Sequence, residues 1–150
     1  MRMVSVWVVG ATAILLGGCG GSVPKNLGVA NGRLAPCQAS PNCVCSMDLG
    51  SSAFIEPFGY DTDWMAAGQA LRQVVKEQTD ATIILDEPEY LHVEFRSRLL
   101  GFVDDVEFYF PPKLQQVEVR SASRLGWWDM GVNRKRIERL RQLFLAAIGR

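Results

Sequence analysis

Three segments in the second half of the chain alternate apolar and polar side chains with a period of two, which is the pattern of β-strands that bury one face. They span residues 90–98, 106–110 and 117–120, and the apolar run at 81–86 is typical of a further strand. The apolar positions of the alternating segments are Leu91, Val93, Phe95, Val106, Phe108, Phe110, Val117 and Val119. The pattern predicts an antiparallel sheet of about four strands, with one apolar face and one face open to solvent.

Two other segments space their apolar residues by three and four, which predicts helices with one buried side. The first runs over about 63–78, where Asp61, Thr62 or Asp63 can cap its N-terminus. The second begins near Asn133, which is also a capping residue type. Helix, strands and helix in that order favour an α+β fold in two layers, with both helices packed on the apolar face of the sheet.

The N-terminus is built like an export signal. A short positive start precedes an almost wholly apolar stretch at 3–16, and the small residues Gly17 and Gly18 precede Cys19. This ending resembles the lipobox of bacterial lipoproteins, in which the cysteine is lipidated and becomes the first residue after cleavage. The resemblance implies a signal peptide at 1–18, and acyl chains on Cys19 that anchor the protein to a membrane.

The residues after Cys19 lead to two further expectations. Segment 20–36 has neither a strand period nor a helix period, so 19–36 is interpreted as the lipidated cysteine and a flexible tether, with an r.m.s. span of roughly 20 to 25 Å. Residues 37–150 are then one globular domain. Gly20 stands where inner-membrane lipoproteins of enteric bacteria carry aspartate, and by that analogy we expect anchoring in the cell envelope at the outer membrane, facing the periplasm.

Three further cysteines lie close together at Cys37, Cys43 and Cys45. In an exported protein the leading expectation is a disulfide between Cys37 and Cys43, around a turn-forming Ser-Pro-Asn sequence, which leaves Cys45 unpaired. A bridge from Cys37 to Cys45 is the alternative, and one from Cys43 to Cys45 is sterically poor. We expect no metal site, because these cysteines together with His92 match no common zinc arrangement.

The polar face of the predicted sheet carries opposite charges on neighbouring strands. A short hairpin register places Asp105 between Arg96 and Arg120. Asp104 is adjacent and points to the other face or into the turn. An exposed charge ladder of this kind contributes under about 1 kcal/mol per pair.

The segment 120–136 concentrates cations, hydroxyls and amides, and three of its cations, at 134–136, stand in the first turn of the last helix. Cations are unfavourable at this positive end of the helix macrodipole. The compensating charge is either an acidic side chain of the fold or an external anion, such as a small molecule or a lipid head group. We therefore predict a polar cluster that either binds an anionic ligand or is structural. Its candidate residues are Asp104, Asp105, Arg120, Ser121, Ser123, Arg124, Asn133 and Arg134.

An enzyme is the weaker interpretation of this cluster. Ser121 or Ser123 with Asp104 and the sole histidine, His92, would be the basis of a periplasmic hydrolase, but neither serine lies in a nucleophile elbow. The 16 basic side chains balance 16 acidic ones, and the chain has no phosphate-binding glycine loop or dinucleotide fingerprint. We expect no cofactor, no nucleic-acid partner and a non-catalytic binding or structural domain.

Four stretches of the sequence are similar to one uncharacterised family. They lie at 37–43, 101–108, 119–124 and 129–138. On these motifs the chain resembles the bacterial and plant family called domain of unknown function 1499, from about residue 34 to the C-terminus. Cys45 stands where serine is expected in that family. The resemblance implies the domain boundary and the choice of site, and it implies no reaction.

Overall fold

The computed structural model describes residues 20–149, so Cys19 and the predicted signal peptide at 1–18 lie outside the described residues. The described part of the chain forms eight strands and two helices. In chain order these are β1 (Val29–Ala30), β2 (Arg33–Leu34), β3 (Cys43–Cys45), β4 (Phe58–Gly59), α1 (Trp64–Lys76), β5 (Ala81–Glu87), β6 (Tyr90–Arg96), β7 (Val103–Tyr109), β8 (Gln116–Ser123) and α2 (Val132–Ile148).

The strands form one antiparallel six-stranded sheet and a separate two-stranded pair. The large sheet has the order β3-β8-β7-β6-β5, with β4 paired to the beginning of β8, and β1 pairs with β2. The fold is α+β, but the predicted sheet of about four strands is wrong. The four predicted strands correspond to β5 to β8, whereas β1 to β4 are only two or three residues long. So short a strand cannot display a period of two, and the sequence pattern therefore misses it.

Both helices pack on the apolar face of the large sheet, where the main hydrophobic core lies. The ring of Phe58 in β4 lies 6.0 Å from that of Phe108 and 5.8 Å from that of Phe144, centroid to centroid, so it joins the sheet to α2. Helix α1 begins after Asp63, whose carboxylate accepts two backbone N–H groups of the first turn. This cap, one of the three that the sequence offered, satisfies donors that would otherwise be unpaired.

The other face of the sheet is also buried, and the prediction of a face open to solvent is wrong. Its polar side chains His92, Asp105, Glu107 and Arg120 are at most 5% exposed. Segment 20–42, which precedes β3, covers them together with Met47. The period of two shows which residues share a face, but it does not show whether a remote segment of the chain covers that face.

The segment predicted to be a flexible tether provides part of this cover. Strands β1 and β2 form a hairpin, Leu34 is buried with Tyr90, and the backbone N–H of Gly28 donates to Oε1 of Glu107 at 2.7 Å. A free coil over 20–36 is therefore wrong for the described residues. The sequence could not show this, because the bond to Glu107 is made by the backbone N–H of Gly28, and a backbone group leaves no side-chain pattern.

Candidate functional site

Asp105 lies at the centre of a buried ion network on the covered polar face of the sheet. Its carboxylate accepts bonds from Nε and Nη2 of Arg124 at 2.8 and 2.7 Å, and from Nε2 of His92 at 2.8 Å. Arg124 also pairs with Glu94. Burial raises the pKa of Asp105, but the bonds from Arg124 and His92 outweigh burial and hold that pKa below its usual value. The same bond raises the pKa of Arg124, so the carboxylate and the guanidinium of this pair are both charged.

Glu107, two residues further along β7, holds a second set of partners. Arg120 donates from Nη1 at 2.9 Å, and the hydroxyl of Tyr90 and the backbone N–H of Gly28 each donate at 2.7 Å. Burial, followed by the charge of Glu107, raises the pKa of Tyr90, which keeps the hydroxyl protonated as a donor. Three donors compensate for the burial of one carboxylate. Glu107 was not among the residues predicted for the site, although its spacing from Asp105 places both on one face.

The strand register differs from the predicted one. Asp105 lies opposite Glu94 on β6 and opposite Ala122 on β8. The predicted neighbours, Arg96 and Arg120, are each two residues away along their strands, so the predicted register is wrong. A shift of two residues leaves every side chain on the same face, and the alternation therefore cannot distinguish these two registers.

A second polar cluster, around Asn133, lies on the opposite face of the sheet, which the helices cover. The side-chain amide of Asn133 donates to the carbonyl oxygen of Asn42 at 3.0 Å, and to Ser123 Oγ and Asp129 Oδ2 at 2.9 Å each. Its Oδ1 accepts from the hydroxyl of Ser121. Asn133 is 1% exposed, so these bonds replace all its contact with water. They join α2 to β8 and to the residue that precedes β3.

Helix α2 begins at a different cap from the predicted one. The N-cap is Gly131, in the left-handed region at φ 74°, and the carboxylate of Asp129 accepts the N–H groups of Gly131 and Asn133 at 2.8 Å each. The prediction of Asn133 as the cap is wrong, because the carboxylate of Asp129 and not the side chain of Asn133 accepts the N–H groups at the start of the helix. The Asn133 side chain is therefore available for the bonds of the cluster. A carboxylate here is also favourable at the positive end of the macrodipole.

Arg136 connects this cluster to Asp104. It donates from Nη2 to Oδ2 of Asp104 at 2.5 Å and from Nη1 to Oδ1 of Asn133 at 2.8 Å. Its guanidinium carbon lies 4.8 Å from the centroid of the Phe95 ring, which adds a cation–π contact. Arg136 was not among the candidate residues, but the excess of cations at the start of the helix was the signal that pointed to it.

The chain matches the family described as Protein of unknown function (DUF1499) over residues 33–144. It belongs to the DUF1499 family. This confirms the resemblance seen in the sequence motifs. No curated protein and no solved structure matches the chain. The description of the family specifies no activity.

The DUF1499 domain divides the predicted cluster between two faces of its sheet. Asp105, Arg120 and Arg124 lie on the covered polar face. Asp104, Ser121, Ser123 and Asn133 lie on the helix face. Arg134 belongs to neither group and donates to the backbone carbonyl of Ser52 at the surface. The single predicted cluster is therefore two clusters. The sheet also separates His92 from both serines.

Two pockets of the DUF1499 domain adjoin the disulfide loop. The larger, of about 920 Å³, has lining residues of both charges, among them Arg33, Asp48 and Arg134. The smaller, of about 390 Å³, lies between segment 22–26, the disulfide loop and the end of β8. Arg120 lines the smaller pocket, and no hydrogen-bond acceptor within residues 20–149 reaches its buried Nε.

Two other features are absent from the described part of the DUF1499 chain. Between residues 20 and 149, no helix is long and apolar enough to cross a membrane. In the same range, no group of three or more His, Cys, Asp or Glu side chains is arranged to hold a metal ion.

The disulfide of the DUF1499 domain confirms the cysteine pair that the sequence favoured. Cys37 and Cys43 form a disulfide with a Cα–Cα distance of 5.7 Å. Cys45 has no disulfide partner among the described residues and is fully buried, and burial raises its pKa to about 11. Its thiol is therefore neutral and shielded, which argues against a nucleophilic role.

We expect Cys45 to resist iodoacetamide in the folded protein at pH 8 and to react after unfolding in guanidinium without reductant. At this pH, roughly one thiol in a thousand is ionised when the pKa is near 11, and burial blocks the reagent as well. Peptide mass spectrometry gives the labelled fraction. Cys37 and Cys43 serve as internal controls, since both should label only after reduction. Labelling of Cys45 in the folded state would contradict its burial.

Proposed function

We propose that this protein is a lipid-anchored domain of the bacterial cell envelope that binds a small anionic group and catalyses no reaction. The observation that carries the binding part is the guanidinium of Arg120, which is 4% exposed and has a buried Nε without an acceptor among residues 20–149. A buried donor without a partner costs about 1 to 3 kcal/mol. A ligand that supplies the missing acceptor would recover this free energy.

The pocket around Arg120 has the chemistry for such a ligand. Among the described residues that line it, the charged ones are Arg120 and Arg124, and none is aspartate or glutamate. Its polar lining includes Ser22, Asn26 and Gln38, which can bond further oxygens of the ligand. A phosphate or carboxylate group fits this set, because arginine binds both with charge-assisted bonds.

Arg120 is the better anchor of the two arginines. Arg124 already donates to Asp105 through two nitrogens and to Glu94 through one of them. Arg120 bonds a single side chain, Glu107, through Nη1. The network around Asp105 and the cluster around Asn133 are then structural, and the predicted anionic ligand is assigned to Arg120 alone.

The arrangement of the serines supports a non-catalytic function. Ser121 donates to the side chain of Asn133, which in turn donates to Ser123, and both contacts lie on the helix face. His92 lies on the opposite face, bonded to Asp105. The hydrolase considered from the sequence, with Ser121 or Ser123 activated by a histidine, needs His92 within hydrogen-bond reach, and His92 lies on the other side of the sheet.

The anchor rests on the lipobox-like ending before Cys19, and the envelope location follows from it. Two or three acyl chains on one cysteine give stable membrane attachment, whereas one chain is marginal. The disulfide between Cys37 and Cys43 supports this proposal, because such bonds persist in oxidising compartments outside the cytoplasm. Glycine after the cysteine favours the outer membrane, facing the periplasm.

Mass spectrometry of the protein extracted from native membranes tests the anchor. We expect a chain that begins at Cys19 and carries acyl chains on that residue, and no acylation in the variant Cys19→Ala. A mature chain that retains Met1, or an unacylated Cys19, would overturn the proposed anchor.

Titration of the full mature protein with inorganic phosphate in neutral detergent tests the binding site. We expect the Nε–H NMR signal of Arg120 to shift and to saturate at millimolar phosphate, but not with chloride at equal ionic strength. Acetate and glycerol phosphate extend the titration to a carboxylate and to a lipid head group. Ala122→Leu, which fills the Arg120 pocket, should abolish the shift, whereas Ala39→Leu, which faces only the larger pocket, should preserve it. An unmoved Arg120 signal with every anion overturns the binding proposal.

A further inference from the structure

We propose that one edge of the domain, here called the tryptophan edge, docks onto the lipid bilayer. It consists of the exposed side chains Leu99, Leu100, Phe102, Leu125, Trp127 and Trp128. The inference rests on the proposed lipid anchor at Cys19 and adds to it an orientation, namely which surface of the domain faces the membrane.

The two loops that carry these side chains leave the sheet at the same end. The first loop, 97–102, connects Arg96 of β6 to Val103 of β7, and these two residues are paired. The second loop begins at Arg124, whose backbone N–H donates to the carbonyl oxygen of Val103 at 3.0 Å. The loops are therefore neighbours across the ends of three adjacent strands.

The chain also enters the described structure at this edge. A Cβ placed on Gly20 would lie 3.4 Å from Cγ2 of Val103. A Cβ placed on Gly21 would lie 2.9 Å from Cβ of Arg124 and 3.1 Å from Cγ of Leu125. Cys19 is peptide-bonded to Gly20, which fixes their Cα–Cα distance at about 3.8 Å. Acyl chains on Cys19 would thus insert into the bilayer beside the tryptophan edge, without an intervening tether.

The exposed side chains are of the kinds that partition into a bilayer surface. Leu99 is 96% exposed, and Trp127 and Trp128 are 69% and 67% exposed, whereas Phe58, Phe95, Phe108, Phe110 and Phe144 are at most 1% exposed. Tryptophan is enriched at membrane interfaces because its ring is amphipathic. A contiguous apolar patch on a soluble domain marks an interaction surface.

The charges in the two loops that carry the edge favour a lipid surface as the occupant. Arg96 and Arg98 are exposed beside the leucines. Asp129 is the sole acidic residue in the segments 96–103 and 124–132, and it is bonded into the cap of α2. Exposed cations with apolar side chains between them bind anionic lipid, through both attraction and burial. A second copy of the chain would meet the same cations and would be repelled.

Three tryptophans remain after removal of the signal peptide, and their positions allow a direct test. Trp64 lines a groove with Pro88, beside the turn between β5 and β6, so it lies at the opposite end of the sheet from the tryptophan edge. The length of β6 separates the two ends by roughly 20 Å. Fluorescence of Trp64 therefore reports the far end, and fluorescence of Trp127 and Trp128 reports the edge.

The experiment uses the full acylated protein in vesicles of phosphatidylcholine and phosphatidylglycerol whose acyl chains are brominated, since bromine quenches tryptophan at short range. Trp64→Phe, which leaves the edge tryptophans, should lose more than half of its emission relative to unbrominated vesicles. The double variant Trp127→Phe/Trp128→Phe should lose almost none. Leu100→Ser should weaken the quenching at the edge, whereas the matched control Leu114→Ser, at the other end of β7, should not.

Mass spectrometry of the same sample separates the outcomes. Acylated protein whose edge tryptophans are not quenched would overturn the docking surface and leave the anchor intact. Quenching in protein without acyl chains would support the surface and overturn the anchor. A blue shift of the edge tryptophans without quenching, together with cross-linked dimers, would identify a second copy as the occupant and overturn the lipid proposal.

Discussion

Replacement of Asp105 by asparagine is expected to lower the free energy of unfolding by about 3 to 5 kcal/mol, the range for removal of one partner from a buried ion pair. Asp105 is fully buried and bonds both Arg124 and His92. The amide of asparagine carries no charge to balance the guanidinium, and its NH₂ group would face a donor. Urea denaturation at pH 7 measures the change.

Asp86→Asn is the matched control for this prediction. Asp86 also pairs with an arginine, Arg72, but its side chain is 40% exposed, so its loss should cost under about 1 kcal/mol. Equal effects of the two variants would contradict a structural role for the buried network.

The pH dependence of the free energy of unfolding is a second test of the role of Asp105. Its pKa in the folded protein lies below the ordinary value of 3.8. As the pH falls, Asp105 is therefore protonated in the unfolded chain at a higher pH than in the folded protein. Its stabilisation of the fold is complete above about pH 5 and is lost as the pH falls through 3.8 towards the folded pKa. The Asp105→Asn variant should lack this part of the acid destabilisation, which the same denaturation curves reveal between about pH 5 and pH 3.

Asn133→Ala is the second change with a large expected effect, about 2 to 4 kcal/mol of unfolding free energy. The amide of Asn133 donates to three acceptors, and its oxygen accepts from Ser121 and Arg136. Alanine would leave several of these buried groups without a partner, and a half-satisfied network is more costly than an apolar one. Thermal and urea unfolding measure the loss.

The neighbouring variant Arg134→Ala provides the control for Asn133. Arg134 makes one exposed bond to the backbone carbonyl of Ser52, so its removal should stay within about 0.5 kcal/mol. If Asn133→Ala were equally mild, water would be filling the cavity and the cluster would not be structural.

The long elements of the fold were predictable because each displays its own period. The alternation over β6, β7 and β8 and the three-four spacing of α1 and α2 are local properties, and the capping residue types at 61–63 marked the start of α1. The strands β1 to β4 were missed, since each is shorter than the pattern that would reveal it. The cover over the polar face was also missed, because it depends on contacts between Gly28 and Glu107, which lie far apart in the chain.

The candidate site was predicted in its residue types but not in its arrangement. Asp105 and Arg124 were both candidates, and their pairing follows from a register that differs by two residues from the predicted one. Glu107 and Arg136 were missed, and each completes one of the two clusters. The sequence alternation could have placed Glu107 beside Asp105, whereas nothing local links Arg136 to Asp104.

Properties that depend on neighbours along the chain could be read from the sequence alone: the α+β class, both helices, the four long strands, the family and the favoured cysteine pair. The tertiary structure alone decided whether the polar face is exposed to solvent or buried, which charges meet on it, and where the chain enters the described structure after Cys19. The physical reason is that burial and ion pairing depend on segments that are remote in sequence, and alternation leaves the strand register free by steps of two.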